Sequence, residues 1–204
     1  MQPESIKRLI EYFIRLPGIG PRQASRFAFT LLDEDQRTIE GFVDALREVA
    51  RSVSRCTECF RAIENGGGAT LCQTCRGDIH AILIVEKDQD HETIAKTGIW
   101  QDAYHVLGGT ISLLNEKTRV TERIKSLYER LERRATKEKP IEVALATSAT
   151  TEGDSTAMYI ERVLEPFIKD KRITLTRLGR GISTGTEMEY ADPATLSNAL
   201  KNRK

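Results

Sequence analysis

Apolar positions recur in two rhythms along the chain, and the change between them divides it. Ile6, Leu9, Ile10 and Phe13 return at intervals of three and four, which places them on one face of an amphipathic helix. Leu16-Pro-Gly-Ile-Gly-Pro21 ends that helix, and Pro21 suits the first turn of a second, whose Ala24, Phe27, Ala28 and Leu31 again share a face. After Asp33-Glu34-Asp35 a third helix is predicted, with Ile39, Phe42, Val43, Leu46, Val49 and Val53 along one side. From Ala81 the rhythm changes to short continuous runs. Ala81 to Val85 is followed by Glu86, Tyr104 to Leu107 by Gly108-Gly109, Ile141 to Ala146 by a polar loop, and Ile173 to Leu178 by a Gly-rich stretch. Such runs suit parallel strands covered on both faces. Helical patterns lie between them: around Glu92 to Lys96, at Ile124, Leu127, Tyr128 and Leu131, and at Ile160, Val163, Leu164, Phe167 and Ile168. The alternation predicts an α/β fold with a mostly parallel sheet. The charged run Arg130 to Lys139 reads as a solvated helix end.

Composition narrows the class. The 204 residues carry 30% charged side chains and a net charge of +1, as in a soluble globular protein with one medium core and small appendages. No wholesale basic character announces a nucleic-acid partner. The longest apolar run falls far short of the roughly 18 residues a membrane-spanning helix needs. The amino terminus interleaves charges with its apolar residues, so neither membrane insertion nor export is expected. Four cysteines in two CxxC pairs then suit a reducing, cytoplasmic compartment, where thiolates hold metal rather than form disulfides.

Those cysteines are the strongest chemical signal. Cys56-x-x-Cys59 and Cys72-x-x-Cys75 are separated by twelve residues, a spacing that brings two pairs of soft ligands to one tetrahedral Zn²⁺. The segment Glu64 to Ala69, rich in glycine, would return the second pair to the first. An iron–sulfur cluster is the alternative. With all four positions filled by protein, the ion has a structural role.

The hairpin Leu16-Pro-Gly-Ile-Gly-Pro-Arg22 looks like a helix-hairpin-helix element. Its glycines would let the backbone approach a phosphate, and the amides entering the second helix would donate to it. Between Ser5 and Leu32, Lys7, Arg8, Arg15, Arg22 and Arg26 face a single acid, Glu11. Arg22 and Arg26 are one helical turn apart and can flank the same phosphate run, without reading base sequence. A plain Gly-Pro turn between packed helices is the structural alternative.

Glu86 ends the first strand of the sheet, and Glu152-Gly-Asp154 is expected in the loop after the third, on the same carboxyl edge. Three carboxylates there would suit Mg²⁺ or a basic protein surface, and the pattern alone does not separate the two. No GxxxxGK[ST] motif occurs, and Gly179 to Gly185 lacks the GxGxxG pattern and is expected to form an ordered loop. His80, His91 and His105 have no nucleophile beside them and read as structural.

In their order, LPGIGPRQASRFAFTLL, C-x2-C…C-x2-C, ILIVEKDQD, YHVLGG, LATSATTEGDSTAMYI and TRLGRGISTGTEMEY make the chain resemble, over nearly all its length, the bacterial RecR family of recombination mediators. The resemblance implies a helix-hairpin-helix region at 1–54, a four-cysteine zinc finger at 55–77, a Toprim domain at 78–178 and an assembly segment at 179–204. It implies a ring-like homotetramer without catalytic turnover that works with RecO, and in some bacteria RecF, to load recombinase onto single-stranded DNA coated by single-strand binding protein. Arg22 and Arg26 fall where that family contacts DNA, and Glu86, Glu152 and Asp154 on the Toprim edge it uses for partner contact. The competing function is a Toprim-type Mg²⁺-dependent nuclease or a primase-like or topoisomerase-like fragment. Size disfavours it, because the additional nucleophile or polymerase body has no room in the chain.

Overall fold

A computed structural model describes residues 2–64, 68, 70–111 and 118–201. The chain divides into two compact units, residues 1–53 and 54–204. The loop expected to return the second cysteine pair lies mostly outside the described residues.

The first unit is helical. α1 (Glu4–Ile14) and α2 (Pro21–Leu32) pack through buried Ile6, Ala24 and Ala28, with the rings of Phe13 and Phe27 meeting edge to face at 5.8 Å. Pro21 takes the first turn of α2, where a missing amide costs nothing. Gly18 turns the chain at φ +78°, a conformation that side chains with a Cβ rarely adopt. α3 (Gln36–Ser52) begins where the Asp35 carboxylate accepts from the Thr38 amide at 2.9 Å. None of its residues is buried, and Phe42, Leu46 and Val49 stay exposed along its apolar side. Val53, expected on that side, leaves the helix to start a strand.

The second unit starts with a small two-stranded ribbon, β1 (Val53–Arg55) and β2 (Ala62–Glu64), and a one-turn helix α4 (Gln73–Arg76). There follow β3 (Ala81–Val85), α5 (Asp88–Lys96), β4 (Ala103–Val106), α6 (Arg119–Arg134), β5 (Ile141–Ala146), α7 (Thr151–Lys169), β6 (Ile173–Arg177) and, after a 3-10 turn at Met188–Tyr190, α8 (Pro193–Lys201). The larger sheet runs β4-β3-β5-β6 with every pairing parallel. Alternation within the central strands serves two cores. Ile82, Ile84, Val143 and Leu145 meet Ile124, Leu127 and Leu131 of α6 and Ile160, Leu164 and Phe167 of α7. Leu83, Val85, Tyr104 and Val106 form the other face, covered by Ile94, Trp100 and Phe60. Each such buried aliphatic side chain contributes about 1.5–3 kcal/mol.

Two sequence expectations are corrected here. Glu152-Gly-Asp154 is not a loop but the first turn of α7, because the Thr150 hydroxyl caps the helix by accepting from the Gly153 amide at 3.1 Å. Arg130 does not belong to a solvated helix end: it is 0% exposed, since it shares the stripe of Leu127 and Leu131.

Candidate metal centre and nucleic-acid interface

The two cysteine pairs come from different elements. Cys56 follows β1 and Cys59 precedes β2, while Cys72 caps α4 and Cys75 lies inside it. Phe60, at φ +62°, turns the chain from the first pair into β2. All four thiols are buried and free, and their sulfurs lie within 4.8 Å of one another. A tetrahedron built on metal–sulfur bonds of about 2.3 Å has edges of roughly 3.8 Å. Cys59 Sγ and Cys72 Sγ are 3.8 Å apart. Backbone amides also point at the sulfurs: Cys72 N donates to Cys56 Sγ at 3.4 Å and Cys75 N to Cys72 Sγ at 3.3 Å. Sulfur neighbours, Cys59 first, hold the Cys56 thiol well below the ordinary range, and Cys56 in turn pushes Cys59 and Cys75 up. The donor set therefore fits a thiophilic ion. Among the described residues it is the one converging group of three or more metal-ligating side chains.

The hairpin leaves its basic residues outside. Lys7, Arg8, Arg15, Arg22 and Arg26 are all exposed. No side chain caps the start of α2, and its first turn holds no acid, so its leading amides face outward with the positive end of the helix. Gly20 has an ordinary negative φ of −85°, and a Cβ added there would meet nothing within 4 Å. The fold itself thus sets no demand for glycine at position 20.

The carboxylates of the sheet edge are not gathered in one place. Glu86 is 3% exposed, and its two oxygens accept from the Ser148 amide and hydroxyl, each at 2.8 Å. Its backbone carbonyl accepts from Gly108 and Gly109 at 2.7 and 2.8 Å. A Cβ on Gly153 would lie 2.1 Å from the Ser148 carbonyl oxygen and 3.0 Å from Glu86 Oε1, so this seam tolerates only glycine. The buried Glu86 side chain ties β3 to the turn after β5. Asp154 pairs with both guanidinium nitrogens of Arg180, one at 3.1 Å, and with Arg177 at 3.7 Å. The Arg180 guanidinium holds its carboxyl below the usual range. Glu152 is exposed.

Comparison with known proteins agrees with this layout. Three family models match in chain order: RecR, helix-hairpin-helix, at residues 6–50; Toprim domain, at 80–178; and RecR, C-terminal, at 181–204. A Staphylococcus saprophyticus protein named Recombination protein RecR is 39% identical over 201 residues, 98% of this chain and 97% of the relative. The chain belongs to the RecR family. Proteins of the same name from Enterococcus faecalis and Dehalococcoides mccartyi are 38% and 36% identical, over 99% and 98% of this chain and 98% and 94% of their own lengths. Each of these relatives is by name a recombination protein. Among its described residues no helix is long and apolar enough to cross a membrane.

Sequence reasoning passed over the arginines that surround the cysteine cluster of this RecR-family chain. Arg123 donates to the Val106 carbonyl at 2.9 Å and lies over the Phe60 ring at 4.7 Å. Arg130 donates to Cys75 Sγ at 3.1 Å and to the Tyr104 carbonyl at 3.0 Å. Arg134 reaches the carbonyls of Cys75 and Gly77 and, at 3.0 Å, the carboxylate of Glu58. The signal was available. Residues 123, 127, 130, 131 and 134 are spaced three and four apart, on one face of α6 with the apolar stripe.

Proposed function

We propose that the chain is a non-enzymatic, DNA-binding recombination mediator. In this reading it acts with RecO, and with RecF where that protein is present, to help load a RecA-type recombinase onto single-stranded DNA covered by single-strand binding protein. The observation that carries the DNA contact is the exposed hairpin: open room at Gly20, uncapped amides at the start of α2, and Arg22 and Arg26 one turn apart on the surface. Phosphate is the group that all three suit, and contacts of this kind are indifferent to base sequence.

The cysteine cluster serves as a structural Zn²⁺ site. When bound, the ion would cross-link residues 55–77, which have little apolar core of their own, and its four positions would all be held by Cys56, Cys59, Cys72 and Cys75. Partner contact is assigned to the acidic start of α7, where Glu152 is exposed and Asp154 half-exposed, opposite a basic surface of a RecO-like protein. Glu86 shapes this edge from below. The geometry of the acids also supports a role without turnover: Glu86 is committed to Ser148 and Asp154 to Arg180 and Arg177. A Mg²⁺-dependent centre would instead need carboxylates turned toward a common point.

The bare apolar side of α3 supports self-association, in line with a homotetrameric ring, and residues 179–204 are assigned to assembly. Residues 1–54, 55–77 and 78–178 then act as DNA-binding region, finger and Toprim scaffold of a cytoplasmic protein.

The test is reconstituted recombinase loading on single-stranded DNA coated by single-strand binding protein. Stimulation is expected only when a RecO-like partner is present, and it should fall in Glu152→Ala. DNA cleavage that requires Mg²⁺ or Mn²⁺ and disappears in Glu152→Ala would overturn the reading in favour of a Toprim enzyme.

A further inference from the structure

We propose that Arg130 is a positioning residue of the metal centre: its buried guanidinium donates to a ligand sulfur and offsets the charge of the four-thiolate site, so that the sheet unit, and not the finger alone, sets metal affinity. The inference rests on the reading that Cys56, Cys59, Cys72 and Cys75 hold Zn²⁺, and deepens it.

Arg130 is 0% exposed, and a guanidinium keeps its proton under all conditions a protein survives. A buried cation requires an anion close by. The nearest carboxylate is Glu58, which stands between the first two cysteines and lies 3.4 Å from Arg130 Nε. Glu58 is also approached by Arg134 at 3.0 Å and by the largely solvated Arg133 at 3.6 Å. One carboxylate thus serves several guanidiniums. Arg61 adds another cation, donating to Thr74 Oγ1 at 3.2 Å and drawn electrostatically by Cys72, Cys59 and Cys75.

Four thiolates around a divalent ion carry two net negative charges, and four neutral thiols carry none. Among the described residues, guanidiniums outnumber the one carboxylate beside the cluster, Glu58, and the negative charge of a loaded four-thiolate site would offset part of that excess. Arg130 donates to a ligand sulfur at 3.1 Å, and its other terminal nitrogen is fixed on the Tyr104 carbonyl at the sheet edge at 3.0 Å. Neighbours that orient and charge-compensate metal ligands typically change affinity by about 10–100-fold when removed.

The experiment uses the full chain and its bound metal. Zinc affinity is measured by competition with a chromophoric chelator, and the ligand field by absorption of the Co²⁺-substituted protein, for the unmodified protein, Arg130→Met, Arg130→Lys and Arg133→Ala. Arg130→Met is expected to lose about 10–100-fold in affinity and to shift the thiolate-to-Co²⁺ charge-transfer band. Arg130→Lys, which keeps the charge but not the fork, should recover most of the affinity while still shifting the band, and Arg133→Ala should match the unmodified protein. Unchanged affinity and band in Arg130→Met overturn the proposal, whatever its melting temperature. If that variant does not fold, an unshifted band in Arg130→Lys overturns it equally. An unmodified protein without zinc and without a thiolate–Co²⁺ band would instead sink the underlying metal reading.

Discussion

Arginine appears in two settings in this chain, and the contrast separates the two units. In the hairpin, Arg22 and Arg26 stand on the surface, with no ion pair among the described residues. In α6, Arg123 and Arg130 are buried and are spent on backbone carbonyls, an aromatic ring and a sulfur. The same side chain is a surface charge awaiting an external anion in one unit and an internal strut in the other. What decides is whether the chain itself provides the acceptor. α3 shows the same incompleteness in apolar terms, with a hydrophobic side and no buried residue, whereas α6 and α7 bury theirs against the sheet.

If the finger and sheet form the self-contained unit, the largest effect on stability should come from the metal ligands. Cys72→Ser should lose zinc and lower stability by several kcal/mol, given that structural zinc sites contribute about 10 kcal/mol or more in isolated fingers. Hydrogen exchange should show protection lost over residues 54–77 and β4 but kept in α1 and α2. Equal loss in both units would erase the distinction. Next in size is the seam at the strand ends. Glu86→Ala deletes two hydrogen bonds to a buried carboxylate, each worth about 1.5–3 kcal/mol, and should shift the urea midpoint accordingly without changing DNA affinity.

A pH effect of intermediate size tests the sheet interior. Burial pushes His105 down to about 3, while its Nε2 sits 2.9 Å from the Arg123 carbonyl. The folded protein therefore holds this ring neutral where the unfolded chain, near 6.5, would bind a proton. The contribution is complete above about pH 6.5 and is lost as pH falls toward 3, amounting to about 2 kcal/mol between pH 7 and pH 5. His105→Phe should flatten that part of the stability profile. The smallest stability effect belongs to the hairpin: Arg22→Ala with Arg26→Ala should change it by less than about 0.5 kcal/mol. The same pair should reduce the slope of log affinity for DNA against log salt by roughly 2 per subunit engaged. A large loss of stability would mean that these arginines are struts like those of α6.

Much of this was legible in the sequence because it is local. The hairpin is written in Pro-Gly-Ile-Gly-Pro, the strands in continuous apolar runs, and the ligands in their spacing. Arg130 escapes a charge count over Arg130 to Lys139, which averages a buried residue with solvated ones, although its interval from Leu127 places it on the covered stripe. Glu86 is legible as a strand end, but its burial depends on Ser148, 62 residues later, in a turn whose course no local pattern gives. Glu152 and Asp154 read as loop residues only while Thr150 is not recognised as a cap. Distant acceptors and caps, rather than the elements themselves, are what sequence reading leaves undetermined.

The position of Phe60 has a bearing on solubility. β4 lies at one margin of the sheet, and a margin strand with open amides invites pairing with another chain. Here the Val106 amide is occupied by the Cys59 carbonyl at 2.9 Å, and Phe60 lies over the adjoining apolar surface. The finger is thus a lid on a sticky border, latched from within its own ligand loop. If the four cysteines hold an ion, its removal would loosen this latch and uncover that border.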